Sequence, residues 1–199
     1  SRYGPIYLEP TFRKENLPEF LEETDDRKYR PIKAAQNEQT SFATYNDLVL
    51  KFIRILLREG NKERARNLVH KTFENVKLTQ IERFNKAQTD FEKESIELNP
   101  VNIFNKAINN CKPLLNIKKI KRGGVMYQVP VPISPNSQVF FAMKWLIESA
   151  NEKDRISRVW DKLAQELLDA SNNEGKSVRK KQELHRLCEA NRAYAHFRW

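Results

Sequence analysis

Pro130 and Pro132 stand two residues apart in the run "GGVMYQVPVPI", and no other feature narrows the fold as far. Proline has no N–H to donate, and residues two apart on a strand turn their amides to the same edge. That edge cannot receive a further strand. Upstream, the basic stretch "KKIKR" climbs to Gly123-Gly124, a pair able to supply the two positive φ angles of a tight hairpin turn. On the descending side Val125, Tyr127, Val129, Val131 and Ile133 alternate onto one face. The pattern predicts an isolated two-stranded ribbon over about residues 114–133. A lone ribbon is marginal in water, so its tip needs a partner.

Around the ribbon the periodicity is helical. Asn46 can cap a helix with Leu48, Phe52, Ile55 and Leu56 inward and Gly60 as its stop, and a second fits residues 61–76 with Ala65, Leu68, Val69 and Phe73 inward. Residues 77–98 are charged and mixed in sign, with "TQIE" resembling a capping box, and predict a solvated helix. Asn99 and Pro100 open a helix that Pro113 follows, and Ser134 and Pro135 open one with Val139, Met143, Leu146 and Ala150 inward. Asp154 can cap the next, burying Ile156, Val159, Trp160, Leu163 and Leu167. Ser177 begins the last, with Leu184, Leu187, Cys188 and Asn191 inward. The expectation is a mainly α fold: a bundle of about six helices, residues 46–199, with a protruding two-stranded β-ribbon. Residues 1–45 carry Pro5, Pro10, Pro18 and Pro31 and predict an irregular N-terminal extension that relies on other surfaces for order.

Charge separates the same parts. The chain carries 36 Lys and Arg against 26 Asp and Glu, a net +10. Residues 1–47 hold seven basic and nine acidic residues, so the excess belongs to the remainder. Residues 98–147 contain Lys106, Lys112, Lys118, Lys119, Lys121, Arg122 and Lys144, and no acid at all. Elsewhere the signs mix freely. Lysines that merely guard a strand edge explain Lys118 and Lys119, but not fifty residues without a carboxylate. Phosphate contacts explain both, since an acid there would repel the ligand. Tyr127 and Gln128 near the tip suit the stacking and base-edge bonding used on unpaired RNA. The last helix adds Lys176, Arg179, Lys180, Lys181, Arg186, Arg192 and Arg198 against Glu183 and Glu189. Each base taken singly reads equally as a solvated helix face; together they favour an anion.

Catalysis and membranes find little support. Cys111, Cys188 and the three histidines have no metal-ligand spacing, and the two thiols read as buried and inert. No phosphate-cradling glycine motif occurs, and the densest carboxylates, Glu22-Glu23 and Asp25-Asp26, lie in the irregular arm where nothing would hold ligand geometry. No cofactor is expected. There is no apolar run of spanning length, no secretory signal is expected, and the basic stretch 98–147 lacks an amphipathic basic helix with bulky apolar anchors.

Four ordered blocks carry a resemblance. "DLVLKFIRILLREGNKERA", "GGVMYQVPVPI", "AMKWLIESA" and "HRLCEANRAYAHFRW" look like the small-subunit ribosomal protein seven family, over about residues 45–76 and 99–199. The resemblance implies a helical bundle with a protruding ribbon that binds the 3′ major domain of small-subunit ribosomal RNA and supports assembly of the subunit head. It implies neighbouring head proteins as partners, with the exit-site transfer RNA and the messenger path nearby. By the matching motifs, Lys118, Lys119, Lys121, Arg122, Tyr127 and Gln128 belong to that ribbon, and Lys62, Arg64 and Arg66 to the basic turn after the first helix. Lys144 and Trp145 match the helix after the ribbon, and His196 and Trp199 the terminal motif. Bacterial members begin with a short basic arm, whereas this one is long and acidic, and residues 77–98 look like an insertion. Both departures, and a first residue other than methionine, resemble the mitochondrial form after removal of a targeting peptide. The arm and insert are then expected to bind neighbouring proteins rather than RNA. The alternative is a regulatory protein that binds messenger RNA off the ribosome.

Overall fold

The computed structural model describes residues 2–11, 25–36, 39–40, 46–152, 154 and 156–198. Glu22, Glu23 and Trp199 lie outside them. The chain divides into two units, Ser1–Lys51 and Phe52–Trp199.

Within the first unit, residues near the start are tied to residues 31–34. Leu8 donates its N–H to the Pro31 carbonyl and accepts from the Lys33 N–H, both at 2.9 Å, as a single parallel bridge. Lys33 pairs with Glu9, and Tyr3 packs its ring on Tyr7.

The second unit is mainly α, as expected. Helix α1 (Asp47–Leu56) spans the division between the units. It begins where Asn46 Oδ1 accepts from the Leu48 N–H at 2.9 Å, and Gly60 takes φ +75° beyond its end. Helix α2 (Lys62–Lys86) is capped by Asn61. It runs ten residues past Val76 because "TQIE" is not a start: Thr79 donates its hydroxyl to the Asn75 carbonyl one turn back. The capping box lies at Thr89 and Glu92 instead, opening the short α3 (Asp90–Ser95). Helix α4 (Pro100–Cys111) starts at the expected Asn99 cap and Pro100. Then come β1 (Leu115–Arg122), β2 (Val125–Pro132), α5 (Pro135–Asn151), α6 (Val159–Ser171), α7 (Lys176–Ala190) and a 3-10 segment, Arg192–Arg198.

Helices α4 and α6 form the centre; each packs against α2, α5 and α7. Ile108, Met143, Leu146, Leu163 and Leu167 are fully buried there. Phe104 meets Phe52 and Phe73 edge-on at 5.2 and 5.6 Å. Each such large apolar side chain contributes about 2 kcal/mol by leaving water. Two expected inward residues are out: Ile156 is 96% exposed and Leu187 52%. Asp154 does not cap α6, which begins four residues later than its spacing suggests, so Ile156 falls in the loop. On α7 the inward turn is Ser177 and Val178, with Cys188.

Candidate nucleic-acid interface

The ribbon is a two-residue hairpin. Arg122 pairs with Val125 across Gly123 and Gly124, whose φ values are +56° and +84°. The register sets Pro130 opposite Ile117 and Pro132 opposite Leu115. The Ile133 N–H donates to the Leu114 carbonyl, so pairs at alternate positions exchange hydrogen bonds and the two prolines fall between them. Their missing N–H groups therefore cost the ladder nothing. On the opposite strand the outward N–H of Ile117 is accepted by Asn116 Oδ1 at 2.9 Å. Among the described residues these two strands form the whole sheet.

Register also sorts the side chains. Lys118 and Arg122 share a face with Tyr127, while Lys119 and Lys121 share the other with Gln128. Lys118, Lys119, Lys121, Arg122 and Gln128 are exposed. Among the described residues the three lysines have no acidic partner.

Tyr127 behaves otherwise. Its ring lies 4.9 Å from Phe197 and 5.2 Å from Tyr194, so the 3-10 segment covers it, and Val129 below it is fully buried. Strand β1 lies on α7, where the Leu114 N–H donates to His185 Nε2 at 3.1 Å. That bond requires neutral imidazole at Nε2, and burial, with the Lys181 charge beside it, holds the His185 pKa below its usual value. The partner that a lone ribbon needs is thus partly the chain's own end.

The bases of the last helix fall into distinct sets. Lys180 reaches Glu148 at 3.4 Å and Glu152 at 3.2 Å, and Lys176 reaches Glu152 at 3.5 Å. The Lys180 bond and charge, with help from Lys176, hold the Glu152 carboxyl below its usual pKa. Lys181 points inward, donating to the Asn110 carbonyl at 2.6 Å. Arg179 lines a cleft of about 420 Å³ with Glu152, Asp154 and Asp169. Arg186 is exposed. Arg192 and Arg198, expected on the helix, lie on the exposed 3-10 segment because α7 ends at Ala190.

Elsewhere, Lys144 pairs with Glu148 at 3.8 Å, and Lys112 donates to Asn109 Oδ1 at 2.6 Å. Lys62, Arg64 and Arg66 open α2, with Arg64 exposed beside a cleft of about 320 Å³ and the other two half-buried. Two further cations come together unforeseen: Lys71 at 4.8 Å and Arg158 at 5.2 Å lie over the Trp160 ring. They belong to different helical regions, and no spacing links them.

Glu166 was also missed, since a carboxylate in "AQELL" reads as solvated. It is buried and accepts the Ser177 N–H at 2.7 Å, while Ser177 donates its hydroxyl to Ser149. Gly175, at φ +92°, supplies no side-chain cap for α7, so Glu166 supplies it from α6. A Cβ on Gly175 would come 3.0 Å from the same carboxylate oxygen. Both thiols are buried, as expected. Burial and the neighbouring Glu166 push Cys111 up to about 12, against the opposing Lys181 charge. Among the described residues no cluster of His, Cys, Asp and Glu could hold a metal, and no helix is long and apolar enough to cross a membrane.

The architecture and its basic ribbon agree with the comparisons. The family model for ribosomal protein S7p/S5e matches residues 25–192. A chicken protein named small ribosomal subunit protein uS7m is 44% identical, with all of this chain and 89% of the relative aligned. The protein of the same name from Drosophila melanogaster is 44% identical (all of this chain, 90% of the relative), and that from Caenorhabditis elegans 39% (again all and 90%). This chain belongs to the ribosomal protein S7p/S5e family, a family of structural ribosomal proteins and not of enzymes.

Proposed function

We propose that this chain is a structural constituent of the small subunit of the mitochondrial ribosome and works there by binding ribosomal RNA. The observation that carries the RNA reading is the ribbon: exposed Lys118, Lys119 and Lys121, without acidic partners among the described residues, inside a fifty-residue stretch free of carboxylates. The register puts cations on both faces, Lys118 with Arg122 and Lys119 with Lys121. A narrow element charged on both sides suits a groove or junction with phosphates on either hand, where Lys and Arg fix orientation without reading sequence. The 3′ major domain, the subunit head, and nearness to exit-site transfer RNA and messenger are its setting in this reading, with neighbouring head proteins around it. The 1–45 extension and the 77–98 insert serve protein neighbours. Tyr127, covered by Tyr194 and Phe197, orients the ribbon rather than stacking on a base.

The test is binding of the full chain to a small-subunit 3′ major domain transcript over a salt series. Replacing Lys118, Lys119, Lys121 and Arg122 by alanine is expected to weaken binding and lower the salt slope by up to about four counterions. Deleting residues 1–40 is expected to leave both unchanged. An unaltered slope in the ribbon variant overturns the phosphate-reading role.

A further inference from the structure

A second surface has the opposite character. Between α2 and α6 runs a cleft of about 440 Å³ with Ala164 and Leu168 among its walls and Leu78, 54% exposed, at its side. Its charged walls are Glu82, Asp161 and Asp169, with Arg83 as the one base. One oxygen of Asp161 takes the Asn75 amide at 2.6 Å, which ties the helices together at the cleft. The Asp169 carboxyl is pushed above its usual pKa by burial and then by Glu166 and Glu174, against the opposing charge of Arg83. With three carboxylates against one guanidinium, the cleft is acidic on a chain with a net charge of +10.

Phosphate would meet carboxylates in this cleft, so RNA does not fit. An exposed leucine beside apolar walls, rimmed by acids, matches a side chain set of apolar and cationic residues. We infer that the α2–α6 cleft docks a Lys- or Arg-bearing amphipathic segment of a neighbouring protein, with its apolar residues against Leu78, Ala164 and Leu168 and its cations toward Glu82, Asp161 and Asp169. Leu78 and Glu82 lie on the part of α2 beyond Val76, within residues 77–98, so the extra turns build one wall of the cleft. The inference extends the proposed function to a specific protein-binding surface and does not depend on how the ribbon binds RNA.

The test places the photo-crosslinking residue p-benzoylphenylalanine at position 78 in the full chain, assembled into small subunits. The expected product is a crosslink to another protein whose attached peptide combines Lys or Arg with apolar residues. Glu82→Lys, on the exposed side of α2, is expected to cut that crosslink about tenfold by setting like charges opposite one another. The four-alanine ribbon variant, once incorporated, is expected to leave it intact. A crosslink to RNA, to this chain itself, to a peptide lacking basic residues, or no crosslink at all overturns the inference. None of these bears on the salt slope by which the ribbon reading is judged.

Discussion

Lys181 donates from Nζ to the carbonyl of Asn110 at 2.6 Å, and so closes the end of α4 from a neighbouring helix. The last four carbonyls of a helix lack partners within it, and a cation there also meets the negative end of the dipole. Asn110 in turn donates its side-chain amide to the carbonyls of Ala170 and Ser171, closing α6 in the same way. Through Lys181 and Asn110, helix α7 is thereby joined to the ends of α4 and α6.

Replacing Lys181 with methionine is therefore expected to cost about 1–2 kcal/mol, as for loss of a charged hydrogen bond, and to leave the salt slope of RNA binding unchanged. Arg186→Ala is expected to do the reverse, lowering affinity without moving the denaturant midpoint. Urea unfolding and binding measured on both variants decide the matter.

Acid should loosen the ribbon's base. His185 has a folded pKa below its unfolded value of about 6.5, so the unfolded chain binds the extra proton first. The stability contributed by the Leu114–His185 bond is then fully present above about pH 6.5 and is lost as pH falls through the interval down to the folded pKa. Hydrogen exchange at the Leu114 amide is expected to quicken relative to global unfolding as pH drops through that interval, after correction for intrinsic rates. His185→Leu should remove the pH dependence; if it persists, the imidazole is not its source.

Gly175 should tolerate nothing larger. Its φ of +92° strains any L side chain, and an added Cβ would press on Glu166 Oε1 and, at 3.2 Å, on Asp169 Cβ. Gly175→Ala is expected to lower stability by about 1–3 kcal/mol. Glu166→Leu should cost a similar amount by orphaning the buried Ser177 N–H. Because both changes act on one cap, the double variant should fall short of the sum, a test for thermal unfolding of all three.

Tyr127→Ala is expected to free the terminal 3-10 segment, costing about 2 kcal/mol and exposing the chain after Ala190 to protease. Tyr127→Phe keeps the ring contacts and should cost little. Protection of the terminus in the alanine variant would mean the ring does not hold it.

Short-range chemistry made much of this fold legible. Asn99-Pro100 and Gly123-Gly124 act through their own backbones, so the start of α4 and the turn of the ribbon could be read from a few residues. The prolines at 130 and 132 declared an unpaired edge for the same reason. Where a local signal competed with helix propagation it misled: Thr79 resembles a cap but bonds back within α2, and Asp154 yields to a start at Val159.

The surface was legible as charge but not as availability. A basic residue in sequence does not disclose what its flexible stem can reach. Lys176, Lys180 and Lys181 look alike on a helical wheel, yet the end of α5 and its capping residue Glu152 supply carboxylates to the first two and α4 a carbonyl to the third. The same holds for Tyr127, Glu166 and the α2–α6 cleft, whose partners come from elements distant in sequence. Sequence alone determined the ribbon, its turn, its unpaired edge and the acid-free stretch around it, because each depends on neighbours along the chain. Only tertiary structure decided which cations stay free, which hold helices together and where acids gather, because those depend on which helix ends meet.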